Sequence, residues 1–189
     1  MRRLGDCVTF GRWLILCAVG AVLLAGCGTT DGRETAPAVA STTSMGSTAK
    51  VDADRAQVIA AAVARVTMID NTFGGSKVTS VVHVVENFDA DLGRPLNAID
   101  RAAVVDALRG YAEVIFLADS RSLTGDNPMN APRGLFIVSV GEPTINSDHA
   151  EIRTSMWCGS LCATARTYSV DRQQSGWRVT GTVGQIMVS

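Results

Sequence analysis

The chain is 189 residues long, 47% hydrophobic and 19% charged, with a formal net charge of −1. That balance supplies no basic face for the phosphates of a nucleic acid and none for electrostatic docking onto anionic lipid. Two histidines in the whole chain leave little material for a His-based metal cage or a catalytic triad.

Arg2, Arg3 and Arg12 form a cationic start, and residues 13–24 an apolar run without a charge, the layout of a secretory signal peptide. The run falls short of the about 20 apolar residues a helix needs to cross a ~30 Å hydrocarbon core. Leu24, Ala25 and Gly26 then lead into Cys27, and this stretch resembles the signal of bacterial lipoproteins. The resemblance implies that the thiol of Cys27 receives diacylglycerol, that the chain is cut just before it, and that the new amine is acylated, for instance by palmitate. One acyl chain holds a protein to a membrane marginally and two hold it stably. The expectation is a lipoprotein on the extracytoplasmic face of the cell membrane, with the covalent lipid on Cys27 as its only cofactor. An unmodified Cys27 after a simple secretory cleavage, and an uncleaved anchor, are the competing readings.

Removing residues 1–26 takes away three arginines and one aspartate and leaves a mature charge of −3. Cys27 opens a segment, residues 27–50, that is otherwise rich in Gly, Thr, Ser, Ala and Pro, and it buries too little surface to offset the entropy of ordering. It reads as a disordered tether with a span of about 25 to 30 Å. Residues 51–189 are one domain's worth of chain.

Within the domain, Asp54 and Gln57 have the spacing of a capping box. Ile59, Ala62, Val63, Val66, Ile69 and Phe73 follow at helical spacing, which predicts a helix over 54–72 ended by Gly74 and Gly75. Residues 78–88 are β-branched and read as a strand, and Asp91, Gly93 and Pro95 as turns. Asn97 caps a second helix over 98–109, residues 113–118 form a strand, and residues 119–133 a long loop of the kind that is often functional. The remainder is strand-like, over 134–141, 149–157, 163–171 and 177–188; short connections force antiparallel pairing there. The fold class is α+β: two helices packed on an antiparallel sheet that ends in a four-strand meander. Cystatin-like and NTF2-like sheets share this architecture, and such folds host unrelated functions.

Cys7 and Cys17 lie in the leader, so the exported domain keeps Cys158 and Cys162. A three-residue hairpin loop sets them opposite one another at about 4.5 to 5.5 Å between Cα atoms, within disulfide range, and export favours oxidation. So small a loop contributes only about 2 kcal/mol. A thiol redox pair and copper handling are the alternative chemistries. Against the first, there is no Cys-x-x-Cys and no following helix to lower a thiol pKa. Copper chaperones of the Sco type use Cys-x3-Cys with a distant His, but the Pro after their second Cys is replaced here by Ala163.

The motif Trp157-Cys158-Gly159-Ser160-Leu161-Cys162, with Thr167-Tyr168-Ser169-Val170 and Gly176-Trp177-Arg178-Val179-Thr180-Gly181, is similar to actinobacterial lipoproteins of the mycobacterial Lpp type. The excess of arginine over lysine suits such a source. The likeness covers the C-terminal third best and brings no catalytic residues with it.

Other sites are sparse. His83 lies within a Val-rich strand and His149 at a strand start, each more simply a structural His than a ligand or base. Residues 87–93 suggest a calcium loop, but the Gly falls one position late and the twelfth-position Glu is missing. Asp119, Asp126 and Glu142 read as solvated loop acids. Trp157, Tyr168 and Trp177 share one sheet face on this reading, either as core or as a ligand platform beside the 119–133 loop. With no catalytic set and no metal set, the expected function is a non-enzymatic binding or interaction module for a protein or a small apolar ligand.

Overall fold

The computed structural model describes residues 44–189 apart from 77–78, 87–93, 126, 128–130 and 160. The leader, Cys27 and the calcium-loop candidate at 87–93 lie outside the described residues. Among the described residues three helices and seven strands follow in the order α1 (Ser44–Met68), β1 (Val81–Val85), α2 (Ala98–Ala107), β2 (Glu113–Leu117), α3 (Arg121–Thr124), β3 (Ile137–Val140), β4 (Thr144–Asn146), β5 (His149–Gly159), β6 (Cys162–Gln173) and β7 (Gly176–Val188). Among the described residues no helix is long and apolar enough to cross a membrane.

Helix α1 begins well before Asp54, inside the segment expected to be a tether. Residues 47–51 are exposed, and burial begins only at Asp52 and Asp54, so the extra turns propagate a helix that tertiary packing nucleates further along. Ile59, Ala62, Val63 and Val66 are fully buried, as their spacing predicts, and Val58 joins them. Ile69 and Phe73 are not, at 52% and 49% exposure, because the helix stops at Met68. Asn71 is the stop: its Nδ2 donates to the Thr67 carbonyl at 2.8 Å, and its Oδ1 accepts from the backbone of Phe73 and Gly75, each at 3.0 Å. That satisfies groups a helix end otherwise leaves orphaned. Gly74 and Gly75 follow with φ of 67° and 79°, in the left-handed region where glycine costs least.

The expected capping box at Asp54 is also overturned, since Asp54 lies inside α1 and its carboxylate is used for packing. At α2 the cap stands: Asn97 Oδ1 accepts from Ile99 and Asp100, and Asp100 returns a bond to the Asn97 backbone at 2.8 Å.

One mixed sheet runs β2-β1-β3-β5-β6-β7, with β4 also paired to β5. Only its C-terminal part is antiparallel as expected; β1 pairs in parallel with both β2 and β3. Connection length explains the split. Residues 86–112, containing α2, and residues 118–136, containing α3, are long enough to carry the chain back to the start of the sheet, whereas the turns after β3 are too short to do so. The expected strand at 134–141 continues into β4 after a bulge: Val140 opposes Thr154 and Thr144 opposes Glu151, so residues 141–143 face two residues of β5. Pro143, with no N–H to give a ladder, suits the break.

Helices α1 and α2 cover one face of the sheet, burying Val82, Val84, Val138, Ile152, Met156 and Tyr168 against Val63, Val66, Val104 and Leu108. Arg55 is buried among them, 2% exposed. Its Nε and Nη2 hold both carboxylate oxygens of Glu142 at 2.8 Å, its Nη2 reaches the Arg94 carbonyl at 3.1 Å, and its Nη1 bonds Asp100. Burial works against the Arg55 charge, but Glu142 and Asp100 outweigh it and hold the pKa above its ordinary value. Glu142, expected as a solvated loop acid, is instead held below the usual carboxylate range, because Arg55 more than offsets its own burial.

Removing one member of a buried ion pair strands the other and costs about 3–5 kcal/mol. Arg55→Met is therefore expected to lose that much stability in urea unfolding, and Glu142→Gln, at the partly exposed end of the network, clearly less.

Candidate functional site

Beyond Arg55, helix α1 passes over β7 with alanine at positions 61 and 64. Residues three apart share a helix face, and two missing side chains there leave a groove of about 300 Å³ with Met68, Ile69, Trp177 and Val179 as its apolar walls and Arg65 and Arg178 beside it. A smaller hollow of about 60 Å³ continues it past Asp70 and Tyr168 to Gly181 and Thr182.

The walls are fixed. Trp177 is 5% exposed; its indole N–H donates to Asp54 at 3.2 Å, and the Arg172 guanidinium lies 4.4 Å from its ring centre. Arg172 in turn bonds Asp54 at 2.6 Å and Asp148 at 3.0 Å, and its hydrogen bond is the main cause that lowers the Asp54 pKa. At the other end, Asp70 takes Arg65 at 2.8 Å and the Tyr168 hydroxyl at 3.1 Å. Burial raises the Asp70 pKa, but Arg65, Tyr168 and Arg166 together bring it below the ordinary value, while burial pushes the Tyr168 phenol up. Arg178 is exposed, with its Nε donating to Ser175 at 3.0 Å.

A larger cavity, about 440 Å³, lies between the start of α1 and the β4–β5 turn, but Lys50, Asp54, Asp148 and Arg172 line it. Three of those four charges are committed to one another, and Val51 and Ile145 are the apolar side chains of its lining.

The three aromatic residues expected on one face divide between two. Trp157 opposes Ala163 and Tyr168 opposes Ile152 in the β5–β6 ladder. Tyr168 lies five positions, an odd step, beyond Ala163 along β6, and side chains alternate along a strand. Tyr168 and Trp177 are therefore core on the helix side. Trp157 is half-buried on the opposite side, in a row with Ile137 and His83. The loop over 119–133 joins β2 to β3, across the sheet from Trp177, so no platform of all three forms beside it. His83 Nδ1 is buried without a hydrogen-bond partner among the described residues. Asp119 is exposed and accepts the Arg121 N–H at 2.8 Å; Asp126 lies outside the described residues.

Cys158 and Cys162 are joined as a disulfide with 5.1 Å between Cα atoms, at the tip of the β5–β6 hairpin. The Thr72 hydroxyl lies 3.1 Å from Cys162 Sγ, so the loop after α1 rests on the bridge. Among the described residues no His, Asp or Glu completes a three-ligand metal set with them.

His149 Nδ1 meets Asp171 at 2.7 Å, and Asp171 also accepts the Thr180 hydroxyl. The Asp171 hydrogen bond raises the His149 pKa. A raised folded-state pKa gives stability that is present in acid and lost as pH rises through that pKa. Between about pH 6 and about pH 8, around the ordinary range of histidine, the melting temperature is expected to fall more steeply for the natural chain than for His149→Gln. Equal slopes in a differential scanning measurement would contradict this.

No protein-family model, curated protein or solved structure matches the chain, and what the site does is argued from its residues alone.

Proposed function

We propose that the chain is a lipoprotein anchored through Cys27 to the extracytoplasmic face of the cell membrane, and that its domain is a non-enzymatic module that holds an apolar ligand in the α1–β7 groove. The anchor is supported by the order of residues at the N-terminus: three arginines, an uncharged apolar run, then Leu24, Ala25, Gly26 and Cys27. The binding role is carried by one observation, the apolar hollow that Ala61 and Ala64 leave open against Trp177 and Val179. Binding sites are typically concave and mostly apolar with a few polar groups that fix orientation. Arg178, exposed with its Nε on Ser175, is such a group and favours a ligand with an acidic end, whereas Arg65 is already paired with Asp70.

Cys27→Ser is expected to move the protein from the membrane to the soluble envelope fraction, and mass spectrometry of the mature N-terminus should find Cys27 acylated. An intact Met1 or an unmodified Cys27 would overturn the anchor.

Filling the groove tests the ligand. Ala64→Trp is expected to weaken binding of a fluorescent long-chain fatty-acid probe by about tenfold or more, the equivalent of ~1.4 kcal/mol, with the melting temperature nearly unchanged. Undiminished probe binding in that variant would remove the groove as the site.

A further inference from the structure

Five large apolar side chains, Phe73, Leu161, Ile186, Met187 and Val188, are 49%, 90%, 48%, 54% and 72% exposed, and the fold gathers them at one end. Leu161 stands at the apex of the β5–β6 hairpin. Thr72, beside Phe73, rests on Cys162 at 3.1 Å. The end of β7 runs along the start of β6, with Val188 opposite Thr164 and the Ser189 N–H donating to the Ala163 carbonyl at 3.0 Å. The three segments that meet here, residues 71–76, 154–165 and 179–189, contain no acidic or basic side chain.

The groove opens toward this end. Ile69 lines it and is itself 52% exposed, four residues before Phe73, and the smaller hollow reaches Gly181 and Thr182 on β7. Ile69 is thus the apolar link between the groove and Phe73, while the smaller hollow is lined mainly by polar groups, the Arg65–Asp70 pair and the Tyr168 hydroxyl among them.

We propose that this end inserts shallowly into a lipid layer, and that the ligand of the groove is the acyl chain of an amphiphile taken up from that layer; the second part rests on the groove reading given above. The shape favours lipid over a protein partner. Val188 pairs with Thr164, on the helix side of the sheet, and Met187 with Ala165, on the other. A protein surface laid against one face leaves the other in water, whereas a fluid layer surrounds both. The β5–β6 ladder runs to the pair Gly159 and Cys162, so few backbone groups of the hairpin enter the layer unpaired, and unpaired groups are what hydrocarbon penalises most. Among the described residues the outer edge of β7 has no partner strand, and this keeps the insertion at headgroup depth, where apolar side chains bury about 5–10 Å into the boundary. The side chains of these three segments carry no charge, so the attraction comes from apolar burial.

The test uses the mature chain, residues 27–189, carrying Cys27→Ser so that an acyl anchor does not mask the tip. It is floated with phosphatidylcholine vesicles, with and without phosphatidylglycerol. The natural tip is expected to float equally with both. Phe73→Asp with Leu161→Asp is expected to cut vesicle binding at least tenfold while fatty-acid probe binding persists. Ala64→Trp is expected to do the reverse, and Ile99→Asp, at an exposed site on α2, to change neither. A chain that stays off both kinds of vesicle, as it does if the tip seats in a protein pocket, overturns the proposal, and so does a tip variant that floats as well as the natural chain. Vesicle binding without probe binding removes the acyl-chain ligand together with the groove reading and leaves the docking in place.

Discussion

Arg55 sets the positions of three elements at once, and the rest of the domain is arranged around that constraint. Its guanidinium leaves α1, takes the first turn of α2 through Asp100, and clamps the bulge between β3 and β4 through Glu142. A buried guanidinium is costly unless its donors are met, and here Nε, Nη1 and Nη2 all find oxygen. The fork geometry of arginine suits a two-toothed bond to one carboxylate, so a lysine at this position would hold neither the geometry nor both partners. Specificity comes with the cost. A one-residue slip of the β3–β4 arm would carry Glu142 to the opposite face of the sheet and leave Arg55 without its main partner. Asp100 is tied twice, because the carboxylate that meets Arg55 also closes the capping box of α2. Cap, helix crossing and bulge are thus specified together.

The groove follows from how α1 is held on either side of it. Asp54 and Arg55 fix the N-terminal half against Trp177, Asp100 and Glu142, and Asn71 and Thr72 fix the far end beside the disulfide. Between these points the helix cannot settle closer to β7, and Ala61 and Ala64 do not fill the gap. A close-packed interior tolerates few empty volumes, so an open hollow between two fixed walls is a property of the whole frame. Edge strand β7 is also kinked out of regular pairing twice, once near Thr180 and once around Gly184, whose φ is 71°. Bulges of this kind twist an edge away from further strand pairing, which leaves side chains, and not backbone, as the means by which that edge makes contact.

Much of the local structure was legible in the sequence. Asn97 announced α2 through side-chain chemistry that acts within three residues, and the alternating strands after residue 134 announced the antiparallel half of the sheet. The parallel pairing of β1 was not legible, because a Val-rich run pairs equally well in either direction and the choice is made by connections more than fifteen residues long. Arg55 and Glu142 were invisible for a similar reason: each looks like a surface charge until the other is placed beside it, 87 residues away. Asp54 misled because the spacing of a capping box also occurs inside a helix, where the carboxylate is free to serve Trp177 and Arg172. The groove itself had no signal, since it is made by side chains that Ala61 and Ala64 lack. The nearest clue was the run of small residues in the middle of the helix, Ala60, Ala61, Ala62 and Ala64.

The anchor proposed at Cys27 precedes α1 in the chain and the proposed tip follows it, and chain length decides whether the two are compatible. The 25 residues of α1 span about 37 Å at 1.5 Å per residue. Its first turns lie by the β4–β5 turn, and its last by the hairpin that carries Leu161. Residues 28–43, between Cys27 and the start of α1, reach at most about 55 Å when fully extended. That reach exceeds the length of the helix, so a domain anchored at Cys27 as proposed could lay its apolar tip on the same layer. Anchoring then acts as concentration: a tip whose few apolar side chains bind lipid weakly from solution meets a surface that never diffuses away. A weak tip is also the more useful one, because an acyl chain enters the α1–β7 groove only if the domain can leave the layer again with the chain in place.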